Sequence, residues 1–183
     1  FIGGGGCNTA ASRNTVIAGG DSNTANGYYS VVVGGCLNVT CGTESFIGGG
    51  STNTVSGSAA AIGGGICNTV SGNLASILGG KCNTASGCRT VITGGSCNIA
   101  DGNRTFIGGG SINALSGNCS VIVGGLRNTV CGDYSSIVGG LSSQAIGNHS
   151  FIGGGNDNIA CGVRSSIVGG SFNTASGDCS TIG

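Results

Sequence analysis

Hydrophobic and polar positions along the chain repeat every 15 residues. Position 2 of each unit is Ile except at Val32, position 10 is a small or medium apolar residue except at Thr40, and positions 4 and 5 are always Gly. A fixed short period predicts a solenoid in which each unit is one coil. The twelve units, which follow one another without insertion or deletion, begin at Phe1, Val16, Val31, Phe46, Ala61, Ser76, Val91, Phe106, Val121, Ser136, Phe151 and Ser166.

The fixed positions of a unit fall into two sets, which predict two short β-strands per coil. Positions 15, 2 and 4 form one set and positions 8, 10 and 12 the other. Alternate residues of a strand face the same side, so these six positions should point inward. Gly at positions 4, 5 and 12 should turn the chain at positive φ. The predicted fold class is all-β, a parallel β-solenoid or β-roll of twelve coils that forms one domain over residues 1–183.

Asn occupies position 8 in eleven of the twelve units, and Ser143 is the exception. Amide side chains that stack coil upon coil can hydrogen-bond to one another and to the backbone of the turn. We therefore predict an asparagine ladder inside the solenoid, formed by Asn8, Asn23, Asn38, Asn53, Asn68, Asn83, Asn98, Asn113, Asn128, Asn158 and Asn173.

Charge is sparse and is confined to the predicted corners. All twelve Asp, Glu, Lys and Arg residues lie at positions 6, 7, 11, 13 and 14, and the formal net charge is zero. This balance argues against nucleic acid as a partner, and no apolar run approaches the roughly 18 residues of a membrane span. With His149 as the only histidine, no nucleophile–base pair or metal site can be assembled. We expect no enzyme activity, no cofactor and no metal.

The outer side of the first strand is apolar where a solvated face would be polar. Large apolar stripes on a surface usually mark an interface, so we expect a homo-oligomer or a filament of copies of this chain. The chain also begins and stops inside the repeat without a visible cap, which suggests a segment of a longer protein or rods stacked end to end. The predicted apolar stripe consists of Phe1, Val16, Val31, Val33, Phe46, Leu78, Val91, Phe106, Val121, Val123, Val138, Phe151 and Val168.

Two kinds of covalent modification have candidate residues. Cys67, Cys82 and Cys97 share position 7 in three consecutive units, where strand spacing would bring neighbours within disulfide range. One pair could be bridged, but not all three. The glycosylation candidates, which stand at corner position 13 in N-x-S/T sequons, are Asn103, Asn118 and Asn148.

The motif S-x-I-G-G-G-x-x-N-T-V-S-G-x-x-S, as in Ser45–Ala59 and Thr105–Ser120, resembles the head repeats of YadA-type trimeric autotransporter adhesins. The resemblance covers the whole chain and lies in the Ile-Gly, the Ala-x-Gly and the Ser, although the unit here is one residue longer. It implies a left-handed β-roll, side-by-side packing of chains, and a role as the shaft of an extracellular or cell- or virion-surface fibre or adhesin.

A second resemblance implies a different function. Asn-Thr-Val-Ser-Gly also looks like the repeats of plant ice-recrystallisation inhibitors, which implies a β-solenoid that binds ice. Position 9 is Thr in only seven units, and other residues such as Val39, Ile99 and Gln144 interrupt the column. Since an ice-binding plane needs regularity, the fibre shaft is the leading hypothesis at this point and ice binding is the alternative.

Overall fold

The structure is a computed structural model that describes all 183 residues. It is an all-β parallel solenoid with about 15 residues per coil and two short strands in each coil, which confirms the predicted fold class. Its 24 strands, each two residues long, form two parallel sheets of twelve strands that face each other across a thin core. The chain contains no helix that could cross a membrane.

We call the sheet of odd-numbered strands the Thr sheet, because it carries positions 9 and 10 of the repeat. Its strands are β1 Thr9–Ala10, β3 Thr24–Ala25, β5 Val39–Thr40, β7 Thr54–Val55, β9 Thr69–Val70, β11 Thr84–Ala85, β13 Ile99–Ala100, β15 Ala114–Leu115, β17 Thr129–Val130, β19 Gln144–Ala145, β21 Ile159–Ala160 and β23 Thr174–Ala175.

The even-numbered strands form the Ile sheet, which carries positions 1 and 2. Its strands are β2 Val16–Ile17, β4 Val31–Val32, β6 Phe46–Ile47, β8 Ala61–Ile62, β10 Ser76–Ile77, β12 Val91–Ile92, β14 Phe106–Ile107, β16 Val121–Ile122, β18 Ser136–Ile137, β20 Phe151–Ile152, β22 Ser166–Ile167 and β24 Thr181–Ile182.

Successive coils pair in register, so that each residue lies beside the residue 15 positions further along the chain. Thr54 pairs with Thr69 in the Thr sheet, and Ile47 pairs with Ile62 in the Ile sheet. A third column of single bridges runs along position 6 from Gly6 to Ser171. At about 4.8 Å per strand, twelve coils form a rod roughly 58 Å long.

The core is one continuous cluster of 23 buried apolar residues. Position 2 supplies the Ile column, of which Ile47 and Ile62 are fully buried, and position 10 supplies the facing Ala and Val column. The predicted inward positions 15, 2, 8, 10 and 12 are buried in the interior coils. The side chains of position 10, which are mostly Ala or Val, set the thickness of the core, since they fill the space opposite the Ile column.

Position 4 was expected to point inward, and this expectation is wrong. Its Gly residues are half-exposed in the interior coils, and a Cβ added to Gly49 or Gly79 would meet no atom within 4 Å. The physical reason is that the strand ends after position 2 and the chain bends at position 4, so the alternation of sides stops there. The turn itself is made at position 5, where every Gly has positive φ, as at Gly50 with 88°.

The remaining tight corners are made by residues other than glycine. Position 7 and position 14 of every coil adopt the left-handed conformation, including the β-branched Thr52 and Ile112, both at φ 58°. For such residues this conformation costs on the order of 1–2 kcal/mol each. Its regular occurrence shows that the backbone hydrogen bonds to neighbouring coils outweigh the cost, as when the N–H of Thr52 donates to the carbonyl of Cys36 at 3.0 Å.

Gly at position 12 is required by close approach between coils. Its φ is not positive, so the expected turn at positive φ is wrong at this position. A Cβ on Gly87 would lie far inside contact distance of the carbonyl oxygen of Gly102, which is backbone and cannot move aside. Gly at position 12 therefore allows two buried backbone segments to stack at strand spacing.

The difference between positions 12 and 4 predicts opposite outcomes for the same substitution in one coil. Gly87→Ala should destabilise the solenoid by about 1–3 kcal/mol or more, because the methyl group overlaps the next coil. Gly79→Ala, the matched control, should be neutral or slightly stabilising, since its methyl group enters open space and the unfolded chain loses freedom. Chemical denaturation of both variants measures the difference, and equal losses of stability would contradict the role assigned to position 12.

Candidate functional site

The outer face of the Thr sheet is formed by positions 9 and 11. Ten of the twelve residues at position 9 are β-branched, and Ala114 and Gln144 are the other two. Position 11 is Ser or Cys in eight coils, and Asp101 is the only charged residue at either position. Branching at Cβ restricts χ1, and the in-register strands repeat these Cβ atoms with the spacing of the coils. The result is a low face along the rod with a single charged residue, interrupted by a few larger side chains.

The most regular part of this face covers three consecutive coils. Thr54 pairs with Thr69 and Thr69 pairs with Thr84, all in register on parallel strands. The three Thr residues are half-buried between their neighbours, whereas the Ser residues two positions further on are exposed. We call this group the Thr-Ser patch; its members are Thr54, Ser56, Thr69, Ser71, Thr84 and Ser86.

Buried asparagines lie beside the strands of the Thr sheet and fix the distance between coils. The amide nitrogen of Asn53 donates to the carbonyl of Gly49 in its own coil at 3.1 Å and to that of Gly65 in the next coil at 2.9 Å. The amide oxygen of Asn53 accepts the backbone N–H of Asn68 at 3.0 Å. The amide nitrogen of Asn53 also donates to the side-chain oxygen of Asn38 in the preceding coil at 3.1 Å, so the side chain joins three coils and both of its polar atoms are satisfied in the interior, as a buried polar group must be. Because Asn immediately precedes position 9, this ladder also holds the strands that carry the Thr column.

Ser143 replaces Asn at position 8 of its coil and keeps one role of the amide, which is to accept the backbone N–H of the next coil. The N–H of Ser143 donates to the amide oxygen of Asn128 at 3.0 Å, and its own hydroxyl accepts the N–H of Asn158 at 3.3 Å. A hydroxyl has only one hydrogen to donate, so it cannot supply both of the bonds that an Asn amide makes to the Gly carbonyls. The coil of Ser143 is also the one in which Gln144 interrupts position 9.

A second polar column runs along corner position 13, and sequence reasoning missed it. The N–H of Asn103 donates to the side-chain oxygen of Asn118 at 3.0 Å, and the N–H of Asn118 donates to Asp133 at 2.7 Å. In this column each side-chain oxygen accepts a backbone N–H from the preceding coil. In the buried ladder each amide oxygen accepts a backbone N–H from the following coil. The recurrence of Asn and Asp at position 13 was the available signal. The glycosylation candidates Asn103, Asn118 and Asn148 are exposed members of this column.

The residues of the predicted apolar stripe lie on the outer face of the Ile sheet. None of the thirteen is buried, and Leu78 and Val33 expose 59% and 46% of their surface. Wherever position 1 is Phe, position 3 of the same coil is Gly. The edge of the Phe46 ring lies 3.4 Å from where a Cβ of Gly48 would stand. Each Phe ring therefore covers the glycine two residues on, which partly levels a face that still varies more in height than the Thr sheet.

The other chemical groups are scattered over the corners. All eleven cysteines are free thiols, and only Cys67, Cys82 and Cys97 occupy one position in adjacent coils. His149 stacks on Tyr134 of the preceding coil with ring centroids 5.2 Å apart. No group of three or more His, Cys, Asp or Glu side chains is arranged to hold a metal ion. The faces of the two sheets are therefore the only extended surfaces with a repeating composition.

Comparison with known families gives one match. The model of a family described as grass antifreeze beta roll matches residues 40–140, which are more than half of the chain. The matched region contains the whole of the Thr-Ser patch. No curated protein matches the chain.

This finding corrects two predictions from the sequence. The resemblance to YadA-type head repeats identified the wrong family, although a β-roll is common to both. The hypothesis of a fibre or adhesin shaft is also wrong, since the match supports the ice-binding alternative instead. The physical reason for both errors is that Ile-Gly, Ala-x-Gly and Ser at fixed spacing are requirements of a thin β-roll core, so they identify the fold and not the family.

The buried ladder predicts how substitutions of Asn68 affect stability. In the parent chain the amide oxygen of Asn68 accepts the buried backbone N–H of Asn83 at 3.0 Å. Asn68→Ala removes this acceptor and should lower the free energy of unfolding by about 1–3 kcal/mol. Asn68→Ser should cost less, since a hydroxyl at this position can accept the N–H of the next coil, as Ser143 does. Thermal and denaturant unfolding compare the two variants with the parent chain. A Ser variant that is no more stable than the Ala variant would contradict the role of the acceptor.

Proposed function

The chain belongs to the grass antifreeze β-roll family, and we propose that it binds ice through the outer face of the Thr sheet. The observation that carries the proposal is the Thr-Ser patch, in which Thr54, Thr69 and Thr84 stack in register on parallel strands. Ice is a periodic solid, so a protein that adsorbs to it must present groups at a constant spacing on a flat surface. Three identical Thr-x-Ser segments in succession provide such a surface.

The chemistry of the patch suits contact with ordered water. Each Thr carries a methyl group and a hydroxyl group, and branching at Cβ restricts its χ1, so little side-chain entropy is lost on adsorption. The methyl groups favour the release of mobile water from the surface on contact. The hydroxyl groups can hydrogen-bond to water molecules that remain in the lattice. The patch itself has no charged side chain, and the nearest charge on this face is Asp101 of the next coil, whose carboxylate accepts a hydrogen bond from the hydroxyl of Ser86.

The Thr sheet is a better ice-binding face than the Ile sheet. Residues on the outer face of the Ile sheet range in size from Gly48 to Leu78 and Phe106, so their heights differ from coil to coil. Position 9 has one long side chain, Gln144, and position 11 is mostly Ser or Cys. A rigid lattice cannot adapt to projections, whereas a protein partner can. The flatter face therefore has the greater contact with ice.

Ice binding is also compatible with the location expected from the sequence. Membership in an antifreeze family agrees with a protein that acts outside cells or at their surface. We propose that the chain acts outside cells or at their surface.

Two substitutions in one coil test which face binds ice. Thr69→Phe adds an aromatic ring to the centre of the Thr-Ser patch and should raise several-fold the concentration needed to inhibit ice recrystallisation. Ala61→Phe adds the same ring on the Ile sheet, at a position where Phe46 and Phe106 already occur, and should leave inhibition unchanged. Circular dichroism and thermal unfolding establish that both variants are folded.

The outcomes separate ice binding from the choice of face. A parent chain that neither inhibits recrystallisation nor shapes growing ice crystals would refute the proposed function. If Ala61→Phe abolishes inhibition and Thr69→Phe does not, the chain binds ice through the Ile sheet, and the assignment to the Thr-Ser patch is wrong.

A further inference from the structure

Three thiols stand in one column at position 7 of successive coils. Cys67, Cys82 and Cys97 have φ of 57°, 54° and 56°, so the three backbones share one conformation and the side chains leave them in the same direction. Backbone hydrogen bonds of 2.9 Å from Cys82 to the carbonyl of Ile66 and from Cys97 to that of Lys81 hold the residues in register. The eight other cysteines have no cysteine at the same position of an adjacent coil.

Spacing along the rod permits two of the three pairings. Adjacent coils place Cα atoms about 4.8 Å apart, inside the range of roughly 4.4–6.8 Å that a disulfide spans. Cys67 and Cys97 are two coils apart, about 9.6 Å, which is beyond that range. Any disulfide within this column must therefore include Cys82.

We propose that Cys67, Cys82 and Cys97 form a thiol–disulfide exchange site in which Cys82 is bonded to one neighbour at a time and can transfer its bond to the other. Such a bond links two successive coils through their side chains, next to the strands that carry Thr69 and Thr84. The inference does not depend on ice binding, because position 7 lies at a corner and not on the face of the Thr sheet.

Oxidation by a small disulfide such as glutathione disulfide proceeds in two balanced steps. The thiolate of an exposed flanking residue, Cys67 or Cys97, attacks glutathione disulfide, forms a mixed disulfide and releases one glutathione thiolate. Cys82 then gives its proton to water, attacks the sulfur of the flanking cysteine and releases the second glutathione thiolate. Two protein thiols are oxidised, and one glutathione disulfide is reduced to two glutathione molecules.

Transfer of the bond requires no further oxidant. When Cys67 and Cys82 are bonded, the thiolate of Cys97 attacks the sulfur of Cys82, the new bond forms, and Cys67 leaves as a thiolate that takes a proton from water. Attack at a sulfur atom needs the incoming, central and leaving sulfurs close to one line, and the stacking of coils places three side chains in a row along the rod. The reverse transfer follows the same path, so the two bonded forms interconvert.

The protonation of Cys82 fits the central role. Partial burial raises the pKa of the Cys82 thiol, and the neighbouring thiols of Cys67 and Cys97 raise it further, while Lys81 lowers it. A raised pKa keeps Cys82 protonated over a wider pH range, so closure of the bond should be faster as the pH increases. In the transfer step Cys82 is the sulfur attacked and never the leaving group, so its raised pKa does not slow that step.

Serine variants test the pairing rule in the full chain. Serine fits this position, since Ser22 and Ser142 occupy it at φ 56° and 54° in other coils. After treatment with glutathione disulfide and alkylation, the parent chain should lose two of its eleven thiols to one intramolecular disulfide. Cys67→Ser should retain only the bond from Cys82 to Cys97, and Cys97→Ser only the bond from Cys67 to Cys82. Cys82→Ser should lose the disulfide and keep both flanking thiols.

Peptide mapping identifies the bonded pair. Cleavage after Arg13, Lys81, Arg89 and Arg104 separates the three cysteines onto three peptides, and a background with Cys36→Ser, Cys41→Ser and Cys88→Ser leaves each of them as the only cysteine of its peptide. The parent chain should give both links to the Cys82 peptide. Cys7, which has the same position but Ser22 as its neighbour, serves as the unpaired control and should form no disulfide with another coil.

Each contrary result overturns the proposal. A link from Cys67 to Cys97, or persistent loss of these two thiols in Cys82→Ser, would show that Cys82 is not the obligatory partner. A parent chain in which only one of the two links ever forms, at any pH, would refute exchange. A folded parent chain that forms no disulfide in this column would refute the site.

Discussion

The in-register parallel stacking of coils is the interaction on which every other feature of this molecule depends. Backbone N–H groups donate to carbonyls of the neighbouring coil, as from Val31 to Ser45 at 2.9 Å and from Thr69 to Asn83 at 2.9 Å. Because the register between neighbouring strands is always one repeat, each side chain stacks on the same position of the next coil. One geometric constraint therefore produces the Ile column, the Asn ladder, the Thr-Ser patch and the row of cysteines.

The constraint also explains why the corners are permitted to be strained. A left-handed residue such as Ile112 has an unfavourable backbone conformation by itself. A single coil also buries too little apolar surface to fold alone, so its stability comes from the neighbours above and below. The energetic cost of the left-handed corner residues is offset only when coils are stacked. Several coils should therefore fold together more readily than one coil alone.

Much of this fold can be predicted from the sequence, because core positions leave a chemical signature. Ile47 and Val55 must be apolar, Asn53 must carry an amide, and Gly57 must lack a side chain, so the repeat reveals them. Residues at the left-handed corners share only a backbone conformation. Thr52, Cys67 and Ile112 have nothing chemical in common, and no pattern of residue types could have marked them.

The candidate site was harder to predict for a different reason. Thr54, Thr69 and Thr84 form a regular group, but averaging position 9 over all twelve coils combines them with residues such as Gln144 and conceals the local order. The second polar column was missed because Asn118 and Asp133 look like ordinary corner residues until the direction of their hydrogen bonds is seen. Position 4 was misassigned because alternation was extended past the residue where the strand ends.

The strict repeat length, with no insertion in any of the twelve coils, limits how such a protein can change in evolution. One added residue inside a strand would exchange its buried and outward side chains. Duplicating or deleting whole repeats changes the length of the chain without this exchange. Each such event changes the area of the outer faces by one fixed step and leaves the core of the remaining coils intact. Genetic changes in repeat number would thus alter the area of the Thr sheet, and with it the proposed contact with ice, in discrete increments, with no redesign of the fold.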